Sequence, residues 1–178
     1  LGLGNNINQP TPIQVDHNHW KQISAGQVYV LAIQNNDSLW FWGAHKNKPK
    51  QVEPGTTWNQ ASGAYNHIAA IKTDGSLWTW GKHKNKPEQI GTDKWKQVST
   101  GYDYTLAIRD DDTLWAGGNN EKGELGLGDT LNRTVPTQVG THKWTQISAG
   151  SDHTVAVRDN GSLWAWGDNS AGQLGNGN

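Results

Sequence analysis

The chain has 178 residues, with 15 basic and 16 acidic side chains and a formal net charge of −1 at pH 7. This balance argues against binding dominated by attraction to nucleic acid or to a membrane surface. Cysteine is absent, which excludes disulfides, thiolate nucleophiles and cysteine-built zinc or iron–sulfur sites. Eleven tryptophans and 22 glycines, together with a net charge near zero, predict a folded chain rather than a disordered one.

Four tryptophans each begin a repeat, and each is followed twenty positions later by a second tryptophan. The pairs are Trp20 and Trp40, Trp58 and Trp78, Trp95 and Trp115, and Trp144 and Trp164. Glutamine recurs at the third place of the repeat, His or Tyr at the tenth, and a Ser/Thr-Leu pair directly precedes the second tryptophan. The chain therefore divides into repeats 20–57, 58–94, 95–143 and 144–178. Residues 1–19 supply the closing strand of the last repeat or belong to a preceding repeat.

Each repeat predicts short strands separated by turns. In the first repeat, runs rich in β-branched and aromatic residues predict strands over 20–25, 28–34 and 38–42. A weaker strand over 49–52 contains a proline, which an edge strand tolerates. Asp74-Gly75 and Asn160-Gly161 predict tight hairpins in the second and fourth repeats.

The third strand of each repeat indicates how the repeats pack. Leu39-Trp40-Phe41-Trp42 is apolar on both faces, so both faces need cover, and we expect sheets stacked face to face. The fold class predicted is all-β, a β-propeller built of four short four-stranded blades per chain. Three arrangements of the ring remain open: a four-bladed ring, a ring completed by a second chain, and a piece of a longer array.

Gly117 stands where the other repeats carry Trp42, Trp80 and Trp166, so the third blade is expected to pack differently or to leave space.

The repeat resembles that of the regulator of chromosome condensation family. The similarity is clearest over Ile147-Ser148-Ala149-Gly150, Asn160-Gly161-Ser162-Leu163-Trp164 and Gly172-Gln173-Leu174-Gly175, and it covers nearly the whole chain. The resemblance implies a propeller, typically of seven blades, whereas this chain has four repeats. The chain is more distantly similar to secreted β-lactamase-inhibiting propellers, which bind their target enzyme through loops on one face.

The turn between the first and second strands is the candidate binding element. Its flanks are constant among the repeats and its tip varies, as when a rigid scaffold presents loops, although ordinary surface variation gives the same pattern. Tyrosine is a favoured interface anchor. The candidate partner-binding residues are Gln27, Tyr65, Asn66, Tyr102, Asp103 and Asp152.

A duplicated His-Lys-Asn-Lys-Pro segment predicts a second, basic candidate surface. Adjacent blades would place the two copies side by side, as a patch for an acidic partner or a nucleic-acid backbone; the alternative is a pair of solvated short loops. Its residues are His45, Lys46, Lys48, His83, Lys84 and Lys86.

The sequence predicts no catalytic residue, metal site or cofactor. His17 and His19 lack a third ligand at a recognisable spacing, and no acid–base pair is specified. We therefore expect a non-enzymatic scaffold that binds a protein partner through one rim, without membrane or nucleic-acid binding, and with a homodimer as one way to complete the ring. The alternatives are a carbohydrate-binding module and a guanine-nucleotide exchange factor-like regulator. The sequence gives no compartment.

Overall fold

The protein consists of short antiparallel strands. The computed structural model describes residues 1–65, 67–81 and 84–177, and for residues 84 and 85 it describes the backbone alone. No helix in these ranges is long and apolar enough to cross a membrane. The strands are β1 (Trp20–Ala25), β2 (Tyr29–Gln34), β3 (Leu39–Gly43), β4 (Lys46–Gln51), β5 (Trp58–Gly63), β6 (His67–Lys72), β7 (Leu77–Gly81), β8 (Lys84–Gln89), β9 (Trp95–Thr100), β10 (Tyr104–Arg109), β11 (Thr113–Gly118), β12 (Arg133–Ala149), β13 (His153–Arg158) and β14 (Leu163–Gly167).

Each repeat folds into one blade, in which strands adjacent in sequence pair with each other. Blade 1 is β1–β4 and blade 2 is β5–β8. The long strand β12 is shared: its first part pairs with β11 and completes blade 3, and its last part pairs with β13 and begins blade 4. Blade 4 then ends at β14, so its described part has three strands where the others have four. The predicted all-β propeller architecture is confirmed.

A side-chain network inside each blade explains the recurring Ser/Thr-Leu-Trp triplet. In blade 2, Asp74 Oδ1 accepts bonds from the backbone N–H and the hydroxyl of Ser76 at 2.8 and 2.6 Å. The Ser76 hydroxyl in turn accepts a bond of 2.8 Å from Nε1 of Trp78. The turn is therefore fixed by its own side chains. The same bonds recur in the other blades around Asn36, Asp111 and Asn160.

The core consists of three apolar clusters, one between each pair of successive blades. Between blades 1 and 2, Leu39 is buried with Trp58 and Ala61. The corresponding residues meet at the next two boundaries: Leu77 with Trp95 and Val98, and Leu114 with Trp144 and Ile147. The stacking predicted from the two apolar faces of the third strand is confirmed.

Polar side chains join each blade to the next. Gln22 donates a bond of 2.8 Å to the carbonyl of Ala61 and accepts one of 3.1 Å from the N–H of the same residue. Gln60 accepts a bond of 2.8 Å from the N–H of Val98. These bonds satisfy backbone groups that burial between blades removes from water. The recurring glutamine is thus a residue of the boundary between blades.

The two ends of the stack expose the apolar residues that inner blades bury. Ile23 in blade 1 is 73% exposed, and Leu163 in blade 4 is 70% exposed. Their counterparts in the other blades are buried: Ala61, Val98 and Ile147 for Ile23, and Leu39, Leu77 and Leu114 for Leu163. We call these surfaces the first end face (Ile23) and the last end face (Leu163).

The residues before Trp20 form no strand in the structure, and the first of them lie against blade 1. The N–H of Gly4 donates a bond of 2.7 Å to the carbonyl of Asn47, whose side-chain amide donates one of 3.1 Å to the carbonyl of Gly4. Strand β4, predicted to begin at Pro49, begins at Lys46, because its pairing with β3 extends to Gly43. The first copy of the basic segment is thus mostly strand rather than loop.

Candidate functional site

The four turns between the first and second strands lie together on one rim of the propeller, to which every blade contributes one turn. They surround a cavity of about 410 Å³ that every blade helps to line. We call this surface the turn rim, and its side chains from the four successive turns are Gln27, Tyr65, Tyr102 and Ser151. The expectation that these turns share one rim agrees with this geometry.

Two of the predicted anchor residues contact each other. The rings of Tyr65 and Tyr102, from blades 2 and 3, stack with their centroids 4.7 Å apart and their planes inclined by 21°. Tyr102 is 40% exposed, and Tyr65 is half-buried. The pair forms a rigid, amphipathic wall of the cavity, the kind of surface that interfaces favour.

Backbone bonds hold the turns in place relative to one another. The N–H of Gln27 donates to the carbonyl of Ala64 at 3.3 Å, and the N–H of Tyr102 donates to the carbonyl of Ser151 at 3.0 Å. These bonds join turn 1 to turn 2 and turn 3 to turn 4, and the Tyr65–Tyr102 stack connects the two pairs into one surface.

The remaining predicted anchors divide into two cases. Asp103 and Asp152 are half-buried and do not line the turn-rim cavity. Asn66 lies outside the described residues.

Ser151, which the sequence did not single out, lines the cavity from blade 4, as Tyr65 and Tyr102 do from blades 2 and 3. Its position in the repeat could have identified it, because it occupies the same place in the turn as the two tyrosines.

In blades 1 to 3, the tenth-place residue beneath the turn is bound to the next blade. His67 Nε2 lies 2.5 Å from Oγ1 of Thr105 in blade 3. Burial lowers the pKa of His67, and the nearby Asp103 carboxylate opposes that shift without cancelling it. The imidazole is therefore neutral at pH 7 and acts in packing.

The first copy of the basic segment lies beside the N-terminal residues. His45 and Lys46 line a shallow cavity together with residues 5–8, and the Lys46 ammonium lies 5.1 Å from the centre of the Phe41 ring. Lys48 and Lys86 are exposed. His83 and the side chain of Lys84 lie outside the described residues, so the basic patch stays a prediction. Among the described residues, no three His, Asp or Glu side chains form a group that could hold a metal ion.

The space predicted beside Gly117 is present. A cleft of about 170 Å³ lies between blades 2 and 3, and its lining includes Gly117, Trp95 and Trp115. Its polar lining residues are His67, Asp103, Thr105 and Arg133.

The third and fourth repeats match a known protein family. The family model described as regulator of chromosome condensation (RCC1) repeat matches residues 95–124 and 144–173, and a second model with the same description matches residues 111–157. No curated protein matches the chain.

Solved structures share the fold. Human WBSCR16 is 20% identical with a TM-score of 0.83, over 93% of this chain and 52% of that protein. Yeast RCC1 (Prp20), solved bound to Kap60, is 20% identical with a TM-score of 0.79, over 88% of this chain and 45% of that protein. The computationally designed Ika4 protein is 9% identical with a TM-score of 0.52, over 91% of this chain and 99% of that one. The chain thus spans about half the length of the two natural proteins. Its residues 95–173 match the RCC1 repeat, and its fold is similar to that of the RCC1 propeller.

Proposed function

We propose that the chain is a non-enzymatic scaffold that binds a protein partner through the turn rim. The observation that carries the proposal is the stacked pair Tyr65–Tyr102 in the wall of a cavity that all four turns line. A tyrosine provides a large contact area with little conformational freedom to lose, and pre-stacking lowers that loss further. The turn rim is thus preorganised for binding, because backbone bonds and the tyrosine stack hold its turns together.

Similar propellers bind proteins, which supports the same proposal. Yeast Prp20 was solved bound to Kap60, and another Prp20 structure is described together with its binding to Gsp1p and histones. At 20% identity these likenesses show the fold alone. They support a protein as the class of partner for this chain, and experiment has to identify that protein.

The experiment compares partner capture by three forms of the chain: the natural chain, the double variant Tyr65→Ala/Tyr102→Ala, and Asn59→Ala/Thr145→Ala. The control pair lines a separate cavity near the starts of the first strands. Proteins retained by the natural chain are identified and purified, and their affinities are measured. We expect the tyrosine variant to bind roughly 30-fold more weakly or worse and the control to bind normally. Equal binding by all three forms would refute the proposal.

The carbohydrate-binding alternative has little support in the structure. Of the eleven tryptophans, only Trp164 is exposed, at 43%. Its ring is covered on one side by the guanidinium of Arg158, whose central carbon lies 3.5 Å from the ring centre. The other indoles are at least half-buried in the core and are not free to stack on a sugar.

We propose in addition that two copies of the chain pair through their end faces. The exposed Leu163 matches the leucines that blades 1 to 3 bury against the next blade, and the exposed Ile23 matches the residues that receive them. The two end faces therefore correspond to the two sides of the boundary between successive blades. In the dimer, the last end face of one copy packs against the first end face of the other. A homodimer of this kind completes the ring between chains.

Light scattering after size-exclusion chromatography tests this pairing. We expect the natural chain to have the mass of a dimer and both Ile23→Lys and Leu163→Lys to have that of a monomer, because each places a charge in an apolar contact. Leu131→Lys, equally exposed but on the long loop of blade 3, is the control and should remain dimeric. A monomeric natural chain at all concentrations would exclude this pairing.

A further inference from the structure

The second tryptophan of the third strand fills a fixed place in three of the four blades. It packs against the first tryptophan of its own blade, and the ring centroids lie 5.8 Å apart in blades 1 and 2 and 5.7 Å apart in blade 4. The pairs are Trp20–Trp42, Trp58–Trp80 and Trp144–Trp166. Blade 3 has Gly117 at this place, so Trp95 has no such partner there.

The backbone does not require glycine at this position. Gly117 is absent from the positive-φ residues, and a Cβ added to it would lie 3.5 Å from the Cα of Pro136, an ordinary contact distance. Its neighbour Gly118, by contrast, has φ of 114° and would place a Cβ 2.4 Å from the carbonyl oxygen of Asp103. The turn geometry thus explains Gly118 and not Gly117.

The cleft that results has the size and lining of an aromatic site. Its volume is about 170 Å³, and an apolar cavity of about 150 Å³ engineered in another protein binds benzene. The exposed residues Thr134 and Val135 are part of the lining, so the cleft has access to solvent. Its apolar walls are Leu77, Ile90, Trp95, Ala107, Trp115 and Pro136.

The polar end of the cleft favours a ligand without net charge. Asp103 and Arg133 line it with opposite charges, and the Arg133 guanidinium is already paired with Asp129 at 2.6 Å. His67, also in the lining, is held by its contact with Thr105. Asp103 can accept a hydrogen bond from a ring N–H or a hydroxyl, and Arg133 can donate one to a hydroxyl oxygen.

We propose that the cleft beside Gly117 binds a neutral aromatic ring of indole size, in the place that a tryptophan of the chain occupies in the other blades. The ring can come from a free small molecule or from a tryptophan side chain of another protein. Asp103 and Gly118 lie at the same end of blade 3 as Tyr102, so a side chain presented to the turn rim is close to the cleft. Only this second source rests on the proposed function, because binding of the free ring needs no partner.

The test uses indole and N-acetyltryptophanamide as probes and follows amide chemical shifts of the full chain by NMR. We expect saturable shifts around Ala107, Trp115 and Thr134 in the natural chain. Gly117→Trp should abolish them and raise the melting temperature, because its side chain fills the cleft; Gly117→Leu is the second variant if the tryptophan does not fit. Binding of both probes assigns the site to a tryptophan side chain, and binding of indole alone assigns it to a free small molecule.

Trp80→Ala provides the positive control. It removes the corresponding ring between blades 1 and 2, where Trp80 is buried, so indole should bind there and restore thermal stability. If indole rescues Trp80→Ala but shifts no resonance near the Gly117 cleft of the natural chain, the proposal is overturned. Partner binding at the turn rim is measured separately, so its failure would leave this result standing.

Discussion

The hydroxyl of Tyr104 donates a hydrogen bond of 2.6 Å to the backbone carbonyl of His153, the residue at the corresponding place in the next blade. Tyr29 forms the same bond to the carbonyl of His67 at 3.0 Å. Burial raises the pKa of both phenols, so both stay protonated and able to donate. One position of the repeat therefore links blade to blade.

We expect Tyr104→Phe to weaken the boundary between blades 3 and 4. The substitution keeps the ring but removes this bond, while the carbonyl of His153 still accepts one of 2.8 Å from the N–H of Gly150. The free energy of unfolding should therefore fall by about 0.5–1.5 kcal/mol. Urea denaturation measures the change. Tyr102→Phe, on the exposed ring of the turn rim, is the matched control and should change stability by less than about 0.5 kcal/mol. Equal effects of the two substitutions would show that the bond does not stabilise the fold.

The glutamine at the third place gives a second prediction, with a control inside the same chain. Gln22→Ala removes both bonds to Ala61 and should cost about 1–3 kcal/mol of unfolding free energy. Gln146 occupies the same place in blade 4 and is exposed, so Gln146→Ala should cost less than about 0.5 kcal/mol. Both are measured at low protein concentration, where copies are separate. A loss for Gln146→Ala as large as that for Gln22→Ala would contradict this assignment.

The turn carboxylates predict part of the acid sensitivity of the fold. The hydrogen bond from Ser76 holds the pKa of Asp74 below its ordinary value of 3.8, and that from Thr113 does the same for Asp111. As pH falls, the unfolded chain therefore binds protons at these two carboxylates before the folded chain does. The stabilisation that the ionised carboxylates give is present above about pH 3.8 and is lost as pH falls through their folded-state pKa.

The double variant Asp74→Asn/Asp111→Asn tests this acid dependence. It introduces the residue that blades 1 and 4 already use in the same turns, as Asn36 and Asn160. We expect the turns to persist and the fall in melting temperature between pH 5 and pH 3 to become shallower. An unchanged slope would assign the acid sensitivity to other groups.

His67 predicts a pH dependence at higher pH. Burial lowers its pKa below the ordinary value of 6.5, so as pH falls below 6.5 the unfolded chain binds the proton first and stability declines until the folded-state pKa is reached. His67→Gln should remove this component from melting curves between pH 7 and pH 5. His142→Gln, at an exposed position, is the comparison and should retain it. Retention of the component in His67→Gln would refute the assignment.

The sequence predicted the features that depend on local pattern. The two apolar faces of Leu39-Trp40-Phe41-Trp42 predicted stacked sheets because alternation along a strand is a property of the strand itself. Gly117 predicted that the third blade packs differently or leaves space, because the other repeats have a tryptophan at this position. For Gly117, the comparison is among the four repeats of the chain itself.

Features that depend on tertiary partners were not predicted. Nothing in the spacing of Gln22 indicates that it binds Ala61 in the next blade, since that contact forms only once the blades stack. Lys46 begins a strand although the segment after it is rich in Lys, Asn and Pro, because pairing with β3 overrides local propensity. The stacking of Tyr65 on Tyr102 likewise requires the distance between two turns, which only the fold provides.

The end faces also determine where the stability of this protein lies. The core is divided among the boundaries between blades, and a chain of four blades has three such boundaries. Its stability therefore depends on the contacts between neighbouring blades rather than on one central core. An inner blade is held from both sides and a terminal blade from one, so blades 1 and 4 are the first to fray. Covering both end faces would give every blade two neighbours and leave no preferred site for unfolding to begin.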